Sequence, residues 1–193
     1  MPKKEEILLS TLDLASKYGL KSLSMSQIAD SVGIKKPSLY NHFSSKEELI
    51  KEMYEYIRNK SKQNISNITL DNINEKSTYD ILHNSVMNYK KMVLDEEMFK
   101  FYSVIYSERT TNNEASKIVI EETNKMINAT KALLVFLKEN NKLIIDDIEM
   151  ASITFSLTIH SLIDFEIDSK KCNQSYDESS ISKFIEWFCK QYS

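Results

Sequence analysis

The sequence predicts an all-α protein. It contains only two glycines and two prolines in 193 residues, and hairpins and tight strand turns depend on these residue types. Apolar residues recur at the spacing of three to four that is typical of amphipathic helices along nearly the whole chain. The content of 41% apolar and 27% charged residues is enough to bury a core and suits a soluble globule.

Four helices are predicted in the N-terminal third of the chain. They span Glu5–Tyr18, Ser24–Val32, Pro37–Phe43 and a longer segment that follows Ser45 and runs through Ile57. Gly19 and Gly33 suit helix ends, because glycine adopts the left-handed conformation without strain. Pro37 suits the first turn of a helix. Ser24 and Ser45 each begin a capping-box pattern, which indicates a helix start.

A polar segment over residues 69–77 is the predicted domain junction. Longer helices are predicted beyond it, over Thr78–Leu94, Glu96–Ser107, Glu114–Glu139, Asp146–Ile167 and Ser179–Tyr192. We therefore predict a three-helix, helix-turn-helix domain at residues 1–48, a connecting helix at 49–68 and a larger helical bundle at 69–193.

Composition excludes several classes of protein. The two glycines cannot form a GxGxxG or GxxxxGK[ST] loop, which excludes most nucleotide-dependent enzymes. Residues 1–60 carry ten Lys/Arg and eight Asp/Glu, against fifteen and twenty in the remainder, an imbalance too small to indicate nucleic-acid binding by itself. Cys172 and Cys189 lack metal or redox spacing, and the longest apolar run, Ala132–Leu137, cannot span a bilayer. With no signal peptide expected, these features predict a cytoplasmic protein without a membrane partner.

Gly33 and Pro37 form a sharp corner between two short helices. Such a corner is either a structural hairpin inside a bundle or a helix-turn-helix that reads DNA. At about 100° per residue, Leu39 and Phe43 share one face of the third helix and are predicted to point into the core. The opposite face is then open to solvent.

This outward face fits the major groove of DNA. It comprises Pro37, Ser38 and Asn41, flanked by Tyr40 and His42, with Lys36 before the helix and Lys46 at the start of the next. Small side chains let the backbone approach base edges, while longer ones reach the phosphates on either side. The N–H groups at the start of the fourth helix can also bind phosphate. A structural hairpin does not require this arrangement, which therefore favours DNA reading.

The stretch LSMSQIADSVGIKKPSLYNHFSSKEELI resembles the N-terminal module of the tetracycline-repressor (TetR) family of bacterial transcription regulators. The resemblance covers roughly residues 5–58 and is carried by Ile28-Ala29, Gly33, Leu39-Tyr40, Phe43 and Lys46. It implies a homodimeric repressor, not an enzyme, that binds a near-palindromic double-stranded operator and is released by a small-molecule effector.

The resemblance also implies a role for each matching position. The implied contacts to bases and phosphates are Ser24, Ser26, Lys36, Pro37, Ser38, Tyr40, Asn41, His42 and Lys46. Asn41 occupies a variable position that helps to choose bases. Ser26 is a departure, since many members carry there an arginine that reads guanine, a contact that serine cannot make. Base discrimination is then weaker or is transferred to Lys36, Ser38 and Asn41.

The predicted helix Asp146–Ile167 is apolar on more than one face, so it must be covered on more than one side. Ordinary core packing is one explanation, and a four-helix interface with a second copy of the chain is the other. The candidate interface residues are Phe155, Ile159, Leu162, Ile163, Ile181, Ile185 and Phe188. A two-fold dimer would place two recognition helices on the order of 34 Å apart, one turn of DNA.

The middle of the chain is rich in methionine and aromatic residues, most of which are expected to be core. The family resemblance implies a pocket here for a small amphipathic or aromatic ligand. The candidate effector-binding residues are Met87, Phe99, Tyr102, Tyr106 and Met126. His83 and His160 are expected to be hydrogen-bonded core residues, and neither a metal nor a cofactor is expected.

Two alternative functions remain open. A helical-bundle di-iron enzyme requires paired Glu-x-x-His motifs on facing helices, whereas the sequence offers a single Asp80-x-x-His83. A helix-turn-helix can also bind a protein, and binding to duplex DNA that weakens with salt would distinguish that case.

Overall fold

A computed structural model describes residues 3–63 and 75–193, with side chains through residue 60 and from residue 75 onward. All regular secondary structure among these residues is helical, as the composition predicts. The α-helices are α1 (Lys3–Tyr18), α2 (Met25–Ser31), α3 (Lys36–Tyr40), α4 (Lys46–Gln63), α5 (Thr78–Val93), α6 (Glu96–Glu108), α7 (Asn113–Glu139), α8 (Ile148–Lys171) and α9 (Ser180–Gln191). A short 3₁₀ turn, Leu20–Ser22, links α1 to α2. None of the helices described is long and apolar enough to cross a membrane.

The corner between α2 and α3 has the geometry that its glycine and proline predict. Gly33 has a φ of +68°. Its amide donates to the Asp30 carbonyl at 3.1 Å, and the Ile34 amide donates to the Ala29 carbonyl at 3.0 Å. This pair of hydrogen bonds is the Schellman motif, which ends a helix and redirects the chain. Pro37 lies in the first turn of α3.

Helix α3 spans Lys36–Tyr40, so it ends three residues before the predicted end at Phe43. The chain continues as a turn in which the amides of His42 and Phe43 donate to the Leu39 carbonyl at 3.0 and 3.1 Å. Asn41 therefore caps the helix instead of lying within it. The turn maintains the direction of the chain, so the predicted inward and outward faces persist.

The first compact unit contains the described parts of residues 1–67 and 92–119. Its core contains buried residues from the first four helices, from α6 and from the start of α7. Phe43 and Phe101 are fully buried in this core, so α6 packs with the helix-turn-helix region although it is distant in sequence. The predicted boundaries at residues 48 and 68 divide the chain in sequence order, so they do not predict that α6 belongs to the first unit.

The functional domain boundaries stay a prediction. Residue 68 and most of the polar segment 69–77 lie outside the described residues. The contacts place residues 92–119 in the first unit, and they place the described residues 75–91 together with 120–193 in a second unit.

The second compact unit is built around the packing of α8 and α9. The ring of Phe155 meets that of Phe188 edge-on, with centroids 4.8 Å apart. The same unit buries the Glu166 carboxylate, which accepts hydrogen bonds from Lys90 at 2.6 Å and Lys170 at 2.7 Å. Burial opposes ionisation, but the two ammonium groups outweigh it and lower the pKa of Glu166. The carboxylate is therefore a paired structural charge.

Candidate nucleic-acid interface

Helix α3 presents one buried face and one exposed face. Leu39 and Phe43 are almost completely buried and fasten the helix to the core. Ser38 and Asn41 are exposed on the other side. The inward and outward positions predicted from the helical spacing are thus confirmed. The small exposed groups allow the backbone to approach a flat partner closely.

Longer side chains stand beside these small groups. Tyr40 and His42 are both exposed. The Lys36 ammonium lies 6.0 Å from the centre of the Tyr40 ring, within the range of a cation–π contact. The arrangement offers a cation and hydrogen-bonding groups next to a shallow polar surface, which is the chemistry that phosphate and base edges require.

Ser24 and Ser26 lie at the start of α2. Ser24 accepts a hydrogen bond from the Gln27 amide at 3.3 Å, and its own amide donates to Gln27 Oε1 at 2.8 Å. This reciprocal pair confirms the predicted capping box. Ser26 is exposed on the first turn of α2. Ser24 therefore caps α2, which is a structural role that requires no contact with a phosphate.

Lys46 differs from the expectation of a lysine directed at phosphate. Its ammonium donates to the carbonyl oxygens of Leu20 at 2.7 Å and Leu23 at 2.6 Å. The side chain is half-buried. Leu20 begins the 3₁₀ turn and Leu23 follows it, and their carbonyl oxygens attract a cation, as the last carbonyls of a helix do. The ammonium is therefore directed at the protein backbone.

The start of α4 is capped by side chains of its own segment, and its binding of phosphate stays a prediction. Ser45 Oγ accepts a hydrogen bond from the Glu48 amide at 3.1 Å. The Glu48 carboxylate accepts from the Ser44 hydroxyl at 2.6 Å and the Ser44 amide at 2.5 Å, so this half of the predicted capping box shifts by one residue. Hydrogen bonds from Ser44, first from its hydroxyl and then from its amide, lower the pKa of Glu48. A negative charge here repels phosphate.

Lys35 is a candidate that the sequence interpretation omitted. It is the N-cap of α3 and is exposed beside Lys36. The adjacent pair of lysines before the proline was the available signal.

The comparisons with known proteins agree with this geometry. A family model described as "Bacterial regulatory proteins, tetR family" matches residues 7–53, which include most of α1, all of α2 and α3, and the start of α4. Residues 7–53 of the chain are therefore similar to the TetR family.

Curated relatives share this N-terminal region. The transcriptional repressor KstR2 of Mycolicibacterium smegmatis is 39% identical over 51 residues, which are 26% of this chain and 25% of that protein. The negative transcriptional regulator of the biofilm operon icaADBC, IcaR of Staphylococcus aureus, is 38% identical over 74 residues, 35% of this chain and 40% of that protein. The chain thus spans between a quarter and two fifths of the length of these relatives.

Solved structures extend the likeness to the whole fold. A TetR-family transcriptional regulator from Agrobacterium tumefaciens aligns with a TM-score of 0.68 at 17% identity, covering 99% of this chain and 97% of that one. The fatty acid degradation regulator FadR from Bacillus halodurans aligns with a TM-score of 0.65 at 18% identity, covering 98% and 94%. At this identity the comparison establishes a shared fold.

The TetR-type effector candidates are divided between the two compact units. Phe99, Tyr102 and Tyr106 lie along α6 in the first unit, with the rings of Tyr102 and Tyr106 6.3 Å apart. Met87 and Met126 are half-buried in the second unit. Neither unit by itself brings all five together, and their role in ligand binding stays a prediction.

Two open grooves of the first unit are lined by other residues. One has a volume of about 460 Å³ and includes Lys46, Glu108 and Thr111 in its lining. The other has a volume of about 660 Å³ and includes Glu52 and Tyr56. None of the five effector candidates lines either groove.

The predicted dimer residues require a correction. Six of the seven are buried inside a single chain: Phe155, Ile159, Ile163, Ile181, Ile185 and Phe188. Leu162 is half-buried. Phe155 of α8 packs on Phe188 of α9 within the same chain, and ordinary core packing, the alternative explanation, accounts for the burial of these six residues. Side chains with less than 5% exposure in one chain have almost no surface left for a second copy.

The opposite faces of α8 and α9 are the exposed apolar ones. Ile153 and Leu157 are 36% and 42% exposed on α8, and Trp187 is 49% exposed on α9. Trp187 stacks on Phe184 with ring centroids 5.8 Å apart. The face of α8 that carries Ile153 and Leu157 is therefore available to a partner.

The residues of the isolated Asp-x-x-His motif have local partners. The Asp80 carboxylate accepts a hydrogen bond from the Ser77 hydroxyl at 2.6 Å, next to the start of α5. His83 stacks on Tyr79 with ring centroids 5.5 Å apart. Over residues 3–63 and 75–193, no three His, Cys, Asp or Glu residues are grouped as metal ligands would be.

Proposed function

We propose that this chain is a sequence-specific DNA-binding transcriptional regulator that acts as a repressor in the bacterial cytoplasm. The observation that carries the proposal is the exposed polar face of α3, held outward by the buried anchors Leu39 and Phe43. The TetR-family match over residues 7–53 supports it independently. Regulation, rather than catalysis, follows from a site built of small polar groups and cations.

The exposed groups divide into two kinds of contact. Ser38 and Asn41 are short, so they reach base edges only when α3 enters the major groove, and they choose bases. Lys35 and Lys36 stand at the start of α3 and neutralise phosphates, which supplies affinity that depends on salt. Tyr40 and His42 donate to the phosphates on the flanks, and Ser26 is too short to replace a guanine-reading arginine.

We further propose a homodimer that uses the exposed apolar faces of α8 and α9. Ile153, Leu157 and Trp187 are too large and too exposed to remain in water without cost, and each Å² of apolar surface buried contributes roughly 25 cal/mol. A two-fold axis through this surface would give two recognition helices on the order of 34 Å apart and a near-palindromic operator.

Release from the operator requires two states that differ in the spacing of the recognition helices. We propose a small amphipathic or aromatic effector that binds more tightly to the state whose recognition-helix spacing does not fit the operator. Its binding lowers DNA affinity, and DNA binding lowers effector affinity by the same free energy. Helix α4 begins directly after the helix-turn-helix and extends to Gln63, so it is the proposed lever. Met87, Phe99, Tyr102, Tyr106 and Met126 are the proposed effector contacts.

Selection of bound duplexes from a random DNA pool tests the function. We expect enrichment of a near-palindrome whose half-sites are one helical turn apart, with binding that weakens linearly in log salt. A pool that stays random after repeated rounds would contradict the proposal. Adding a library of small aromatic and amphipathic compounds to the selected duplex complex then tests release, which should appear for at least one compound.

A further inference from the structure

Lys46 joins the two ends of the helix-turn-helix. Its ammonium donates to Leu23 O at 2.6 Å and to Leu20 O at 2.7 Å. Leu23 is the residue before Ser24, the N-cap of α2, and Lys46 is the first residue of α4. The whole reading element, residues 24–45, is therefore enclosed between the two residues that this contact connects.

We propose that Lys46 is a positioning residue, which sets the orientation of the reading element without holding a phosphate. This inference rests on the proposed DNA-binding function. Charge-assisted hydrogen bonds are roughly twice as strong as neutral ones, and partial burial protects them from water and salt. Turning the ammonium toward DNA would break both bonds, and the Leu20 carbonyl would keep only the 3.3 Å hydrogen bond from the Leu23 amide.

The surroundings of the contact support a rigid connection. Leu20 and Leu23 are each 4% exposed, so the two carbonyls belong to backbone that is fixed by the core. Glu47 and Glu48 occupy the same first turn of α4 as Lys46. Their negative charges oppose a phosphate at this position but not a contact between the ammonium and the backbone.

Neighbouring lysines provide matched controls. Lys21 lines the same groove as Lys46 but is exposed, and its ammonium donates to the Thr111 hydroxyl at 2.9 Å instead of to the backbone. Lys36 is exposed at the start of α3 and is the proposed phosphate contact. Replacing each lysine by methionine removes one positive charge and retains the aliphatic stem.

The experiment measures the affinity of each variant for the duplex selected with the wild-type protein, over a series of salt concentrations. All measurements are made at a temperature at which circular dichroism shows the variant to be fully folded. For Lys46→Met we expect a loss of affinity of about tenfold or more with an unchanged slope of log K against log salt. Lys36→Met should make the slope shallower by about 0.9, and Lys21→Met should change neither quantity greatly.

Two results would overturn the proposal. A slope that becomes shallower by about 0.9 in Lys46→Met would identify a phosphate contact, and unchanged affinity in the folded variant would leave a purely structural role. If Lys46→Met does not fold, Lys46→Gln serves in its place, because its amide retains N–H donors without the charge. An unchanged slope in Lys46→Gln supports positioning, and a shallower slope contradicts it. Failure of the wild-type protein to select any duplex would instead refute the proposed function.

Discussion

The hydroxyl of Tyr54 is buried without a hydrogen-bond partner among the described residues. Tyr54 lies on α4 in the first compact unit, is 4% exposed and meets the ring of Phe101 on α6 edge-on at 6.0 Å. Burial first, and the charge of Glu108 second, raise its pKa, so the phenol is neutral. We predict that Tyr54→Phe stabilises the protein.

The expected gain follows from two opposing contributions. A buried polar group without a partner costs about 1–3 kcal/mol. Removing the oxygen leaves a hole of roughly 15 Å³, which costs about 0.4 kcal/mol at about 24 cal/mol per Å³. The free energy of unfolding of Tyr54→Phe should therefore rise by about 1–2 kcal/mol.

Urea unfolding at one fixed protein concentration measures this gain. With a slope of about 2 kcal/mol per molar urea, the midpoint should rise by about 0.5–1 M. Tyr56→Phe, two residues away on the same helix, is the matched control, because the Tyr56 hydroxyl donates to the Glu5 carboxylate. That variant should lose about 0.5–1.5 kcal/mol. A loss of stability in Tyr54→Phe would show that its hydroxyl has a partner, such as a buried water, and would refute the reasoning.

Three further predictions concern pH, assembly and specificity. Hydrogen bonds from Lys100 and then Lys17 lower the pKa of Asp13 below its ordinary value of 3.8. This carboxylate therefore stabilises the fold above that ordinary value, and its contribution disappears as pH falls through the lower pKa of the folded protein. Lys100→Met should therefore lower the urea midpoint at neutral pH, and its difference from wild type should shrink in acid. Leu157→Asp should give monomers in sedimentation, whereas Ile185→Val should lose about 0.5–1.5 kcal/mol of stability and remain dimeric; a dimeric Leu157→Asp would contradict the proposed interface. Asn41→Ala should change the selected base preference at an unchanged salt slope, and an unchanged preference would exclude Asn41 as a base contact.

The sequence was a reliable guide wherever the determining contacts are local. The Ser24 capping box and the glycine corner at Gly33 involve atoms within a few residues of one another. The inward faces of Leu39 and Phe43 follow from the same short-range geometry. Short-range geometry is encoded in residue type and spacing, so the helices, the glycine corner and the outward face of α3 could be predicted before any fold was known.

Tertiary structure decided what the spacing leaves open. The sequence of a helix that is apolar nearly all round, as α8 is, does not reveal which of its faces packs against the same chain. In the structure Phe155 lies in the core and Leu157 is exposed. The long side chain of Lys46 can reach either solvent or backbone, and the fold brings the Leu23 carbonyl within 2.6 Å of it. Residues 92–119 joined the first unit for the same reason. Partners distant in sequence meet only when the whole chain is packed, and neither helical periodicity nor residue type specifies which of them will meet.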